Sequence, residues 1–333
     1  MTQPPLALSL GDPAGVGPEI VAAAWRALKA SGPVFFVVGD AAAIRAAGAP
    51  VVAIADPGEV AARFADSLPV RDLPLTTPPT PGRPSADAAP HVVRWIETAV
   101  VLALEGKAAG VVTAPIAKAT LYEAGFKYPG HTEFIGALTA SAPLPGARGP
   151  VMMLAAKDLR VALVTIHEPL ARVPELLNQD RIVETGLVLA EALVRDFGIA
   201  APRIVVAGLN PHAGEGGAIG REEVQIVAPA VEALRRRGID FRGPRPADSL
   251  FHDAARATYD AALCLYHDQA LIPVKMLDFW GGVNLTLGLP VVRTSPDHGT
   301  AFDIAGKGLA RADSLIAAIR LAADIAERRR LAA

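Results

Sequence analysis

A single cysteine, Cys264, in a chain of 333 residues rules out an intrachain disulfide and leaves no thiolate cluster for a metal. It stands between Leu263 and Leu265, where a thiol reads as a small buried hydrophobe. Aromatic residues are scarce, at 5%, and neither sign of charge dominates: the formal net charge is −2. That balance offers no bulk attraction to nucleic acid or to an anionic membrane surface. No apolar run reaches the roughly 18–20 residues that span a bilayer. The opening Met1-Thr-Gln-Pro-Pro5 also lacks the basic flank and apolar core of a secretion signal. These absences predict a cytoplasmic protein with neither a membrane nor a nucleic-acid partner.

Apolar material is what the chain does have. Hydrophobic residues make up 51% and charged residues 20%, ordinary for a globular protein with a large core. Its length exceeds the usual span of one core, so two lobes with a cleft are expected. Strand-like runs such as Leu6–Leu10, Val34–Val38, Val51–Ile54, Gly110–Pro115 and Val151–Leu154 alternate with helical stretches over 18–30, 89–104, 181–197, 222–237 and 312–331. The alternation predicts an α/β fold, with helices covering both faces of a mostly parallel sheet. The proline-crowded stretch from Pro69 to Pro90 reads as a surface excursion without a catalytic role.

Three apolar runs each end in histidine: Arg160 to His167, Arg203 to His212 and Tyr259 to His267. Ligands of open α/β sheets collect outside the carboxyl ends of the strands, so three imidazoles are aimed at one edge. Three protein ligands with an open position form the catalytic pattern of a divalent-metal site. A packed or hydrogen-bonded structural role remains the alternative for any one of them.

Other stretches carry polar groups among glycines. Gly11-Asp-Pro-Ala-Gly-Val-Gly-Pro-Glu19 joins a strand to a helix and suits either an anion or a structural tight turn. No Gly-Lys-Ser/Thr follows it, which excludes a Walker-type nucleotide site. His131 and Thr132 open a probable helix, as ligands for a phosphate or hydroxyl, or with Thr132 as an ordinary N-cap. Lys275 and Arg293 lie among apolar and glycine residues and could neutralise a phosphate or carboxylate, with Asn284 as a neutral orienting group.

Taken together, Gly11 to Glu19, Thr113-Ala-Pro-Ile116 with Lys118, Pro129-Gly-His-Thr-Glu133, Leu209-Asn-Pro-His-Ala-Gly-Glu215, Tyr266-His-Asp-Gln269 and Arg293-Thr-Ser-Pro-Asp-His-Gly-Thr300 resemble the 4-hydroxythreonine-4-phosphate dehydrogenase family of vitamin B6 biosynthesis. The likeness spans nearly the whole chain. It implies a two-lobed α/β/α fold like that of isocitrate and isopropylmalate dehydrogenases, with the active site in the interlobe cleft. The expected lobes are 1–130 with 295–333, and 131–294, the latter carrying the metal ligands and the dimer interface. The implied reaction is NAD(P)-dependent and metal-dependent oxidation of 4-phosphooxy-L-threonine to 2-amino-3-oxo-4-phosphooxybutanoate, which decarboxylates to 3-amino-2-oxopropyl phosphate.

The resemblance places the metal, zinc, magnesium or cobalt, on His167, His212 and His267. It places the phosphorylated amino-acid substrate on His131, Thr132, Lys275, Asn284 and Arg293, in a homodimer whose active site lies at the subunit interface. Lys275, Asp248 and a water are candidates for the proton acceptor, and the residues that contact NAD stay unassigned. Two departures stand out: Ala117 where a polar residue is expected before Lys118, and Trp280-Gly281 in place of a more polar pair. The rival readings are a dehydrogenase of threonate or erythronate 4-phosphate and, from another class, a metal-dependent hydrolase or aldolase without NAD.

Overall fold

The computed structural model describes residues 3–332. Its strands in chain order are β1 (Leu6–Ser9), β2 (Phe35–Gly39), β3 (Val51–Ala53), β4 (Leu68–Asp72), β5 (Val111–Thr113), β6 (Val151–Ala156), β7 (Leu159–Leu163), β8 (Arg203–Ala207), β9 (Asp240–Arg245), β10 (Ala261–Cys264), β11 (Val283–Leu287) and β12 (Arg293–Pro296). Two compact units divide them. One comprises residues 3–143 with 289–331, and the other is built on 144–288.

The first unit holds strands in the order β3-β4-β2-β1-β5-β12, every adjacent pair parallel. Strands β1, β2 and β5 are buried along their whole length, as continuous apolar runs in a parallel sheet require. Trp25 and Trp95 anchor the core, and their indole N–H groups reach the carbonyls of Phe64 at 2.8 Å and Leu73 at 2.9 Å. A buried Trp needs such a partner, so Trp25→Ala would cost about 3–5 kcal/mol in lost packing.

The second unit runs β11-β6-β7-β10-β8-β9. Its first two pairings are antiparallel, and from β7 to β9 the strands are parallel. Leu154, Val161, Leu163, Val274 and Cys264 share one core cluster. Burial pushes the Cys264 thiol far above its ordinary range, so it is the inert small hydrophobe that its neighbours suggested. The helix Gln179–Phe197 starts at Asn178, whose side chain accepts from the Arg181 N–H, and stops at Gly198 with φ 70°. A left-handed residue there closes the last turn, and only glycine adopts it without penalty.

Two expectations need correcting. The unit boundary falls after Pro143 and before Leu289, so His131, Thr132 and Arg293 belong to the first unit rather than to a 131–294 lobe. The reason is packing: the helix His131–Leu138 rests on the helix Ala89–Leu104, and β12 pairs with β5. The proline-rich stretch also begins inside the sheet. Pro69 lies in β4 opposite Val52, and the prolines hid that strand.

Candidate functional site

The candidate residues form two groups, one in each unit. In the first, β12 sets Arg293 beside β5, where it is 3% exposed and its Nη2 donates to the Thr113 hydroxyl at 2.7 Å. Burial pushes its pKa down to about 10, against the pull of the Glu133 carboxylate. His131 opens the helix His131–Leu138. Burial, then the charges of Arg293 and Lys118, hold its imidazole well below 6.5, so it is neutral near pH 7. Its Nε2 is buried without a hydrogen-bond partner.

Gly130, at the N-cap, supplies no capping side chain to the first turn, in which Thr132 lies. A buried guanidinium, an unsatisfied imidazole nitrogen and an uncapped helix N-terminus together make a seat for an anion. The same unit carries a cavity of about 790 Å³, walled by Pro13 and Gly15 after β1, Asp40 after β2, Pro74 after β4, and Gly306 and Gly308. Strand carboxyl ends are where open α/β sheets bind their ligands, and cofactor-sized pockets run roughly 300–1,000 Å³. Its proline wall belongs to the stretch read as a surface excursion without a catalytic role.

In the second unit β7, β10 and β8 are neighbours and parallel, which brings their carboxyl ends to one edge. His167 follows β7, His267 opens the helix His267–Leu277 after β10, and His212 lies in the loop after β8. The rings of His167 and His267 have centroids 5.5 Å apart. Nδ1 of His267 donates to Asp268 at 2.7 Å, which fixes the ring and leaves Nε2 for a ligand.

Hydrogen bonds lock the strand ends together. The Thr165 hydroxyl donates to the Leu265 carbonyl at 2.7 Å, the Leu265 N–H donates to Gln269 Oε1 at 2.7 Å, and Gln269 Nε2 donates to the Gly208 carbonyl at 2.6 Å. The His212 loop is strained: His212, Ala213 and Glu215 have φ of 52°, 52° and 43°. Left-handed non-glycine residues cost of order 1–3 kcal/mol each and persist only where their surroundings enforce them. Asn210 does so here, donating from its backbone to Glu223 and from Nδ2 to Glu222, both at 2.7 Å.

Among the described residues, no three histidine, cysteine, aspartate or glutamate side chains of one chain are disposed to hold a metal. One chain therefore pairs His167 with His267 and does not complete the trio with His212. Lys275 is half-buried on the His267–Leu277 helix, its Nζ 5.3 Å from the ring centroid of Phe279. Asn284 lies on β11 with a buried Oδ1 that has no partner. Asp248 sits exposed in the turn Ala247–Ser249.

Sequence reasoning passed over Gln269 and Glu223. Gln269 stood inside the Tyr266–Gln269 motif, which was signal enough. Glu223 is 2% exposed, yet beside Glu222 it reads as one of two solvated helix charges.

Comparison with known proteins adds a second line. Residues 32–322 match the family model "Pyridoxal phosphate biosynthetic protein PdxA". The chain is 66% identical over 331 residues to a 4-hydroxythreonine-4-phosphate dehydrogenase of Caulobacter vibrioides, covering 99% of each, and 54% identical to one of Maricaulis maris, covering 98% of this chain and 99% of the other. Among solved structures it is similar to the Klebsiella pneumoniae 4-hydroxythreonine-4-phosphate dehydrogenase, at 41% identity and a TM-score of 0.83, over 97% of this chain and 99% of that one. A terephthalate 1,2-cis-dihydrodiol dehydrogenase of Burkholderia xenovorans is 29% identical with a TM-score of 0.63, over 96% and 97%.

Proposed function

Because the chain belongs to the PdxA family of pyridoxal phosphate biosynthetic proteins, we propose that it oxidises 4-phosphooxy-L-threonine at C3 with a nicotinamide dinucleotide and a divalent metal. The product, 2-amino-3-oxo-4-phosphooxybutanoate, loses carbon dioxide to give 3-amino-2-oxopropyl phosphate. The observation that carries this reading is 66% identity along 99% of the chain to a dehydrogenase of that name. No helix among the described residues is long and apolar enough to cross a membrane, and we place the reaction in the cytoplasm.

Arg293, His131 and Thr132 of the first unit, and Lys275 and Asn284 of the second, are the substrate-contacting residues in this reading. Each contributes what its setting allows. The buried guanidinium of Arg293 is a bidentate donor, the neutral His131 offers Nε2, and Asn284 offers the unsatisfied Oδ1. Substrate held by such groups would present C3 to the nicotinamide, for which the cavity of the first unit is the seat.

His167, His212 and His267 are the metal ligands in this reading, and an all-imidazole set suits zinc or cobalt better than magnesium. Bound there, the ion supplies Lewis acidity at the reacting oxygen. In this reading the set is shared between two copies of the chain, at the interface of a homodimer. An exposed apolar patch supports the homodimer: Ile272 and Met276, on the helix that His267 opens, and Phe279 and Trp280 just beyond it are 51–88% exposed. Lys275 and Asp248 are the candidates for taking the hydroxyl proton, and pH–rate profiles of Lys275→Met and Asp248→Asn separate them.

The test is NADH formation by the metal-loaded protein on 4-phosphooxy-threonine, threonate 4-phosphate and erythronate 4-phosphate. Turnover favouring the first by at least about tenfold in kcat/KM is expected. Preference for either of the others makes the chain a paralogue, and no NADH from any of the three sinks the reading.

A further inference from the structure

Glu19 is the last residue of the Gly11–Glu19 motif, and no role has been assigned to it. It lies in the first turn of the helix Gly17–Leu28, and its carboxylate reaches the backbone of a distant loop. One oxygen accepts a short hydrogen bond from the Gly306 N–H, and the other accepts from the Gly308 N–H at 3.2 Å. Both glycines are left-handed, with φ of 78° and 67°. Glu19, Gly306 and Gly308 all line the 790 Å³ cavity.

A turn made of left-handed glycines has little conformational preference of its own. One internal hydrogen bond, Lys307 N to Ile304 O, leaves the two glycine N–H groups to be fixed from outside, and a carboxylate with two acceptor oxygens is suited to clamp both at once. Backbone bonds from Val16 N to Thr300 O at 2.9 Å and from Lys307 N to Ile304 O at 3.2 Å hold the start of the loop and the turn before Gly308, but the N–H groups of Gly306 and Gly308 themselves go to Glu19.

We infer that Glu19 is a positioning residue for the nicotinamide dinucleotide: it latches the Gly306–Gly308 turn and so shapes one wall of the cofactor cavity. The inference rests on seating the dinucleotide in that cavity. Without the latch the turn samples other shapes, and binding must first select the competent one, which weakens affinity in proportion to its population. Both carboxylate oxygens are engaged by backbone N–H groups, so the latch acts on binding and the chemical step should be little changed.

Calorimetric titration of NAD into the metal-loaded protein reads this directly, with inorganic phosphate titrated as the control for the Arg293 and His131 seat. Glu19→Ala is expected to raise the NAD Kd about tenfold or more, with kcat within threefold and phosphate affinity unchanged. Glu19→Gln keeps one acceptor oxygen and falls between. Ala46→Trp, from an exposed position on the cavity wall, fills the space without touching the latch and should abolish NAD binding even if Glu19→Ala fails to fold.

Wild-type NAD affinity in Glu19→Ala overturns the latch while leaving the cavity as the seat. An equal loss of phosphate binding also overturns it, because Glu19 would then support the scaffold at large. Normal NAD binding by Ala46→Trp removes the cavity and the latch together. A wild-type protein that binds no NAD would take down the proposed function itself.

Discussion

The two units bring their candidate residues to very different states of completion. In the first, Arg293, His131 and the uncapped helix start are assembled by one chain, with the guanidinium buried and hydrogen-bonded to Thr113. In the second, one chain brings His167 and His267 together, and no trio of metal-ligating side chains forms among the described residues. An anion seat can be closed by backbone and a single cation, because helix N–H groups supply the rest. A site for a divalent ion needs several lone pairs at fixed distances, and an unfilled one would crowd them against each other. The difference teaches that the first unit's candidate residues are assembled within one chain, whereas those of the second, as proposed, would be completed only by what binds there.

The largest effect that could break this contrast comes from the second unit. His167→Ala should abolish metal-dependent turnover, a loss on the order of a thousandfold or more, since Lewis-acid assistance is worth several kcal/mol. Phosphate binding by the first unit should be unchanged in the same variant, read by calorimetry. If phosphate affinity falls with the metal, the two sites are one and the contrast fails. Arg293→Met works in the other direction. Removing a buried, charge-assisted partner should raise the substrate KM roughly a hundredfold while zinc uptake stays intact, and Arg293→Lys should not restore it because the fork geometry is lost. Zinc uptake that drops with Arg293→Met would show that unit one is not independent.

A smaller change sharpens the picture of the second unit. Asp268 orients His267 without being one of the proposed ligands, so Asp268→Asn should weaken zinc affinity by roughly tenfold, measured by competition with a chelator. An unchanged affinity would mean that His267 needs no orienting partner.

Much of this was legible in the sequence, and the reasons are local. Long buried strands and helices announce themselves by periodicity, so the helix at 89–104 was read with nearly correct ends, and the three strands that precede histidines were found with nearly correct starts. Their far ends were overshot: β7, β8 and β10 stop at Leu163, Ala207 and Cys264, short of His167, His212 and His267, and His212 lies in a left-handed loop whose shape depends on Glu223, a contact no spacing reveals. Strand β4 was hidden by Pro69, and β11 and β12 were not singled out because polar residues interrupt their apolar runs. The unit boundary was misplaced because pairing of β12 with β5 joins residues far apart in sequence, and pairing partners are not written in either strand. The cavity was invisible for the same reason, being walled by loops from four separate places.

His131 offers a pH test confined to the first unit. Its folded pKa lies below the unfolded value of 6.5, so above that pH both states are neutral and it contributes no slope. As pH falls below 6.5 the unfolded chain takes up the proton first, and stability declines until the folded pKa is reached. Urea unfolding of wild type and His131→Asn at several pH values between 7 and 5 measures this, and the variant should lose the decline. An identical slope in both would mean that the imidazole is not held neutral.

The smallest expected effect concerns Ala117, the residue that departs from the family pattern. It occupies the N-cap of the helix Lys118–Glu123 with φ −90° and ψ 110°, a conformation that serine adopts freely, and offers no side-chain acceptor. Ala117→Ser should therefore add about 0.5–1 kcal/mol by accepting a first-turn N–H. Because the helix begins with Lys118, whose charge helps keep His131 neutral, a firmer cap should leave substrate KM within twofold and raise only the denaturation midpoint. A KM that moves while the midpoint stays put would instead make Ala117 part of substrate recognition, and the first unit's seat would then extend from Arg293 to the loop after β5.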